Sequence, residues 1–166
     1  MPYKFDSASP SEEIVYGACR PCHHRFSTPE DRVIDWIRFM ISKDIERVCC
    51  LLDGAHLKEY DSLLSQYREM FGDSCVCHAP IKDFSTVDQS TFYDRILPFL
   101  DQADNERQRV VVHCSAGSGR TGHILALWLH TRRDFDLPQA VKTVEQTGRN
   151  PLEATTLSEL RAVAQG

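Results

Sequence analysis

Long apolar runs are missing from this sequence. The longest, residues 124–129, is six residues, against the roughly 20 that a membrane-crossing helix requires. Positive charge is not in surplus either: 19 Lys and Arg face 24 Asp and Glu, for a formal net charge of −5. That balance argues against a chain built around a nucleic-acid backbone. The segment Met1-Pro2-Tyr3-Lys4-Phe5-Asp6 offers no apolar stretch that could serve as a signal peptide. No Gly-Lys-Ser/Thr occurs, which excludes a Walker loop, and there is no internal repeat or low-complexity tract. At 166 residues, 42% hydrophobic and 26% charged, the chain is expected to be one soluble, cytoplasmic, monomeric domain spanning 1–166, with 1–12 a loosely ordered lead-in.

Cysteine, by contrast, is plentiful: Cys19, Cys22, Cys49, Cys50, Cys75, Cys77 and Cys114. Seven cannot all pair within one chain, so a disulfide framework is not expected. Each thiol is then a metal ligand, a buried small residue or a nucleophile. Cys19-Arg20-Pro21-Cys22-His23-His24 and Cys75-Val76-Cys77-His78 hold zinc-ligand types, but His78 points away from its two cysteines on a strand. The default is packing, with no metal or cofactor.

Strands and helices alternate along the chain. Strand signals lie at 13–18, 48–52, 75–79 and 110–112, the last a β-branched run suited to a buried central strand. Thr28-Pro29-Glu30-Asp31 predicts a helix start, and a second helix runs from about Tyr60 to Phe71, closed by Gly72. A helix through Phe92, Ile96 and Leu100 carries Pro98, which should bend or shorten it. Helices are predicted at about 119–130, 138–146 and 153–163. The pattern implies an α/β fold of three layers: a short, mainly parallel sheet flanked by helices. Ligands of such sheets bind where strands end and helices begin, which directs attention to 113–120.

That turn reads His113-Cys114-Ser115-Ala116-Gly117-Ser118-Gly119-Arg120-Thr121-Gly122. Two glycines between Cys114 and Arg120 let the backbone curl, so the amides of Ser115, Ala116, Gly117, Ser118 and Gly119 can converge on an anion at a helix N-terminus. Arg120 can return across the loop and grip two phosphate oxygens with its guanidinium fork. The same inward dipoles favour a thiolate at Cys114. One loop would thus bind phosphate and aim a nucleophile at phosphorus. Gly117, Gly119 and Gly122 also spell the dinucleotide fingerprint G-x-G-x-x-G, with Asp134 or Asp136 as the ribose acid. That reading leaves Cys114 and Arg120 without a role and finds no second half among the 44 residues after Gly122.

The stretch 112–122 resembles the signature loop of the cysteine-dependent protein tyrosine phosphatase superfamily. Its Ser-Ala-Gly-x-Gly interior is similar to the large tyrosine-specific members. Its length and element order resemble the small dual-specificity and microbial branch. The resemblance implies that Cys114 attacks phosphorus, Arg120 binds the phosphoryl group and Thr121 hydrogen-bonds the leaving sulfur. His113 is then a structural residue orienting the loop. It also implies a general acid about thirty residues upstream, which selects Asp83, 31 residues before Cys114; Asp88 is the competitor, better suited to capping the next helix. Asp83 would later activate the hydrolytic water.

Two features depart from the family pattern. Residues 148–156 hold no Gln for water positioning, leaving Asn150 as a supporting polar group, and the Asn-Arg-Tyr phosphotyrosine clamp is absent. Arg20 is either a substrate contact at the pocket rim or a plain surface residue. Cys50 is the candidate for a protective disulfide with Cys114, as some relatives form. The implied activity is hydrolysis of phosphotyrosine, with phosphoserine and phosphothreonine as further substrates, in a phosphorylated protein or peptide. The alternatives are a phosphoinositide or RNA 5′-end phosphatase, and a non-catalytic phosphopeptide-binding module.

Overall fold

In the computed structural model, which describes residues 1–23 and 30–166, five strands form one sheet. They are β1 (Asp6–Ser7), β2 (Val15–Ala18), β3 (Ile45–Cys50), β4 (Val76–His78) and β5 (Arg109–His113), in spatial order β1-β2-β5-β3-β4. β5 pairs parallel with both β2 and β3, β4 pairs parallel with β3, and β1 is antiparallel. The sheet is therefore mainly parallel, with the β-branched strand at its centre.

Parallel strands need helical crossovers, and these cover both faces. On one face lie α1 (Glu30–Ser42) and α3 (Leu63–Phe71), whose Trp36, Ile37, Met40 and Tyr67 pack against Val48, Cys50 and Val111. On the other lie α5 (Leu97–Glu106), α6 (Gly119–Arg132), α7 (Leu137–Glu145) and α8 (Leu157–Ala164), packed against Val15, Cys49, Val110 and Val112. Val110, Val111 and Val112 are all fully buried, as alternation between two covered faces demands. Two short helices complete the set: α2 (Gly54–Leu57) after β3, and α4 (Gln89–Thr91), which runs through a π turn at Phe92–Ile96 into α5. The π turn immediately precedes Pro98 at the start of α5, the kind of ladder irregularity by which a continuous helix accommodates a proline.

Two expectations change. Residues 1–12 are not a loose lead-in: β1 adds to the sheet, Ala8 and Ser9 are buried, and Glu12 accepts bonds from Trp128 Nε1, Arg133 and the amides of Ile14 and Val15. A carboxylate so fully partnered anchors the segment into the core. The last helix starts at Leu157, capped by Thr156, rather than at Glu153, so 149–156 is a loop against the site. The predicted start at Thr28 and Pro29 lies outside the described residues, as does His24. Cys19 follows β2 and Cys77 lies on β4, with β5 and β3 between them, so the two cysteine groups do not converge. Among the described residues, no helix is long and apolar enough to cross a membrane.

Candidate active site

The C-terminal ends of β2, β3, β4 and β5 all point to one end of the sheet, and the loops leaving them meet there. β5 ends at His113, which faces α3. Its Nδ1 donates to the Cys114 carbonyl at 3.0 Å, and its Nε2 accepts the Tyr67 hydroxyl at 2.9 Å. Burial pulls the imidazole down to about 4, so at neutral pH it is an uncharged orienter. One residue on, alternation sends Cys114 to the opposite cluster, 2% exposed at the floor of a cavity.

From Cys114 the chain curls into α6. Gly117 has φ +72°, and a Cβ there would lie 2.6 Å from the Ala18 carbonyl, so only glycine fits. The curl is held from outside. Arg20 N–H donates to Ser115 O at 3.0 Å, Arg149 Nη1 to Gly117 O at 2.6 Å, and Asn150 N–H to Ser118 Oγ at 3.1 Å. With the carbonyls so engaged, no amide of 115–120 donates to a protein acceptor among the described residues. Amide donors gathered at a helix start and left unpaired fit an anion.

Arg120, its side chain 4% exposed, lies across this curl. Nη1 donates to Ile81 O at 3.0 Å, and Nη2 pairs with Asp83 Oδ1 at 3.1 Å. The carboxylate expected from spacing is thus brought to the Arg120 guanidinium. Cys114, Arg120 and Asp83 line one cavity of about 200 Å³, with Phe84, His23 and Glu153 at its walls. Asp88 stands at the N-cap of α4, accepts the Thr91 hydroxyl at 3.1 Å and is not part of that wall.

Other predicted residues fall differently. Thr121 Oγ1 is buried without a hydrogen-bond partner among the described residues, so its bond to the Cys114 sulfur is not formed here. Asn150 contributes its backbone N–H rather than its amide. Arg20 is not a surface residue: it is 8% exposed, ion-paired with Glu59 and absent from the described residues lining the cavity. Cys50 and Cys114 are free thiols in clusters on opposite faces of the sheet.

Sequence reasoning missed several residues. Arg149 is buried and bridges Gly117 O to Lys4 O, the latter at 2.7 Å; burial draws its guanidinium down to about 10, still a cation at neutral pH. His123, pulled to about 4 by burial, accepts the Val87 N–H through Nε2 at 3.3 Å and so ties the acid loop to α6. Glu153 places a carboxylate where a Cβ on Gly119 would be, 2.5 Å from Oε2. Only Glu153 had a signal, its place in the loop searched for a Gln.

The family model Tc-R-P, "Polymorphic toxin system, DSP-PTPase phosphatase", matches residues 26–133. A dual specificity protein phosphatase of vaccinia virus (strain Western Reserve) is 33% identical over 63 residues, 38% of this chain and 37% of the viral protein. Dual specificity protein phosphatase 5 of Rattus norvegicus is 29% identical over 103 residues, 59% of this chain and 26% of that protein. The chain therefore matches well under half the length of either relative. Among solved structures, Tk-PTP in the active form is 21% identical with a TM-score of 0.72, covering 99% of this chain and 96% of its own. PTPMT1 in complex with PI(5)P is 10% identical with a TM-score of 0.76, covering 97% and 94%; both are likenesses of fold. Cys114, Arg120 and Asp83 all fall within the matched residues, and the chain belongs to the Tc-R-P family of DSP-PTPase phosphatases, within the cysteine-dependent protein tyrosine phosphatase superfamily.

Proposed function

We propose that this chain hydrolyses phosphotyrosine in a protein or peptide, without a metal, through a cysteinyl-phosphate intermediate. The observation that carries the reading is a single cavity lined by Cys114, Arg120 and Asp83. The arriving phosphate replaces the Asp83 carboxylate on Arg120 and takes the unpaired amides of 115–120. The Cys114 thiolate then attacks phosphorus while Asp83, protonated, delivers its proton to the departing phenolic oxygen. In the second step the Asp83 carboxylate takes a proton from water. The resulting hydroxide attacks the cysteinyl phosphate, inorganic phosphate leaves, and the Thr121 hydroxyl donates to the released sulfur.

Phe84 supports an aryl substrate. It is 71% exposed beside Asp83 at the cavity wall, with φ +57°. A bulky side chain held in solvent and in the left-handed region is costly without a task, and here it offers a face for the tyrosine ring. Glu153 works against the phosphoinositide and RNA-end alternatives. Arg120 is the one Lys or Arg among the described lining residues, and a second phosphate would meet the Glu153 carboxylate.

The test is steady-state hydrolysis of an aryl phosphate and of phosphotyrosine, phosphothreonine and phosphoinositide substrates with EDTA present. Turnover with phosphotyrosine preferred, abolished by Cys114→Ser, is the expected result. No turnover by reduced wild-type protein that retains phosphopeptide overturns the enzyme in favour of a binding module.

A further inference from the structure

Asp53 has no part in the chemistry above, yet it holds the residue that has. It follows β3 and caps α2, with Oδ1 accepting the His56 N–H at 3.2 Å. Its other oxygen, Oδ2, accepts the backbone N–H of Asp83 at 3.3 Å. The acid loop is bonded on either side of that point. Ile81 N–H donates to Leu51 O upstream, and downstream Thr86 Oγ1 donates to the Glu159 carboxylate and pairs with the Thr155 hydroxyl. Between them, Phe84 N–H turns to Asp83 Oδ1 and Ser85 N–H to Lys82 O, both within the turn. Among the described residues, the Asp83–Asp53 bond is thus the one backbone bond that residues 82–85 send outside their own turn. The other hold on Asp83 is the Arg120 ion pair, which an incoming phosphate takes away. Burial works to raise the Asp53 carboxyl, but the two amides, then the His56 and Arg120 charges, outweigh it and hold it below the ordinary carboxylate value. It remains an ionised acceptor.

We propose that Asp53 is the positioning residue of the general acid: its Oδ2 fixes the Asp83 backbone, so that the carboxyl released by Arg120 reaches the leaving oxygen by side-chain rotation about a held main chain. This rests on Asp83 being the acid. The benefit appears only where proton donation matters, that is, with poor leaving groups.

Two crossed variants separate the tether from the helix cap. Asp53→Ser keeps a capping oxygen for α2 but cannot also serve the Asp83 amide. Asp53→Glu keeps a carboxylate able to reach that amide and is a poor cap. The measurement is kcat and KM on phenyl phosphate and on a nitrophenyl phosphate, whose leaving group needs little acid assistance. Asp53→Ser should lose about tenfold in kcat on the first substrate and under about twofold on the second, with KM unchanged and Asp53→Glu near wild type. Equal loss on both substrates, no loss, or the same loss in Asp53→Glu overturns the proposal. Asp83→Asn is run alongside: if it lacks the leaving-group pattern, the acid assignment has failed rather than the tether. Independently of any variant, the wild-type Asp83 amide should exchange with solvent about tenfold more slowly than that of Lys82, and equal rates likewise overturn the tether.

Discussion

Arg149 shows how much the loop after β5 depends on a residue distant from it in the chain. Its two terminal nitrogens bond Gly117 O and Lys4 O, so one side chain ties the loop to the N-terminal segment. Arg149→Met preserves much of the stem but leaves two carbonyls short of charged donors, each worth about 1.5–3 kcal/mol. We expect a loss of roughly 3 kcal/mol in urea unfolding and a fall of about tenfold in kcat/KM on an aryl phosphate. A variant with unchanged stability and kinetics would mean that Arg20 and Asn150 hold the loop without it. Cys114 and Arg120 could be nominated from the sequence because the candidate loop is made of consecutive residues. The family's spacing nominated Asp83 with Asp88 as its competitor, and only the fold set the Asp83 carboxylate against Arg120. Arg149, Asp53 and His123 were not legible, since an Arg, an Asp and a His of ordinary surroundings acquire roles only when other segments fold against them.

The helices and strands act on the site through their junctions. Among the described residues, α3 meets the end of β5 through one hydrogen bond, Tyr67 to His113, inside a ring cluster with Trp36. Tyr67→Phe removes the hydroxyl and strands His113 Nε2 in the core, at a cost of about 1–3 kcal/mol. Because His113 orients the Cys114 carbonyl, kcat should fall as well; urea unfolding with steady-state kinetics reads both. A stability loss with kcat unchanged would confine Tyr67 to packing. The elements themselves were mostly apparent from periodicity, β5 and α6 above all. The start of α8 was misjudged, because 153–156 looks helical in composition while Thr156 supplies the cap. β1 was missed altogether, since two residues make no pattern and only pairing with β2 defines them.

Across the whole molecule, the two fully buried imidazoles couple stability to pH. His113 and His123 both lie near 4, against an ordinary 6.5, with burial the leading cause. A histidine with a depressed folded value binds its proton more readily in the unfolded chain. Its contribution is therefore complete above about 6.5 and is lost as pH falls towards 4. Each ring is worth up to roughly 3 kcal/mol. Urea unfolding should give clearly lower stability at pH 5 than at pH 7, above the range where ordinary carboxylates titrate, and equal values would show that these rings are solvated. The amino-acid sequence by itself determined the layered α/β class and singled out the loop 113–122 with Cys114 and Arg120 as the candidate site, because alternation, β-branching and consecutive spacing are local properties. Which carboxylate reaches the guanidinium, what clamps the loop from behind and which histidines are stripped of water were decided only in three dimensions. Those depend on groups up to 145 residues apart in the chain, Lys4 and Arg149 being one such pair, and no local pattern encodes an encounter at that separation.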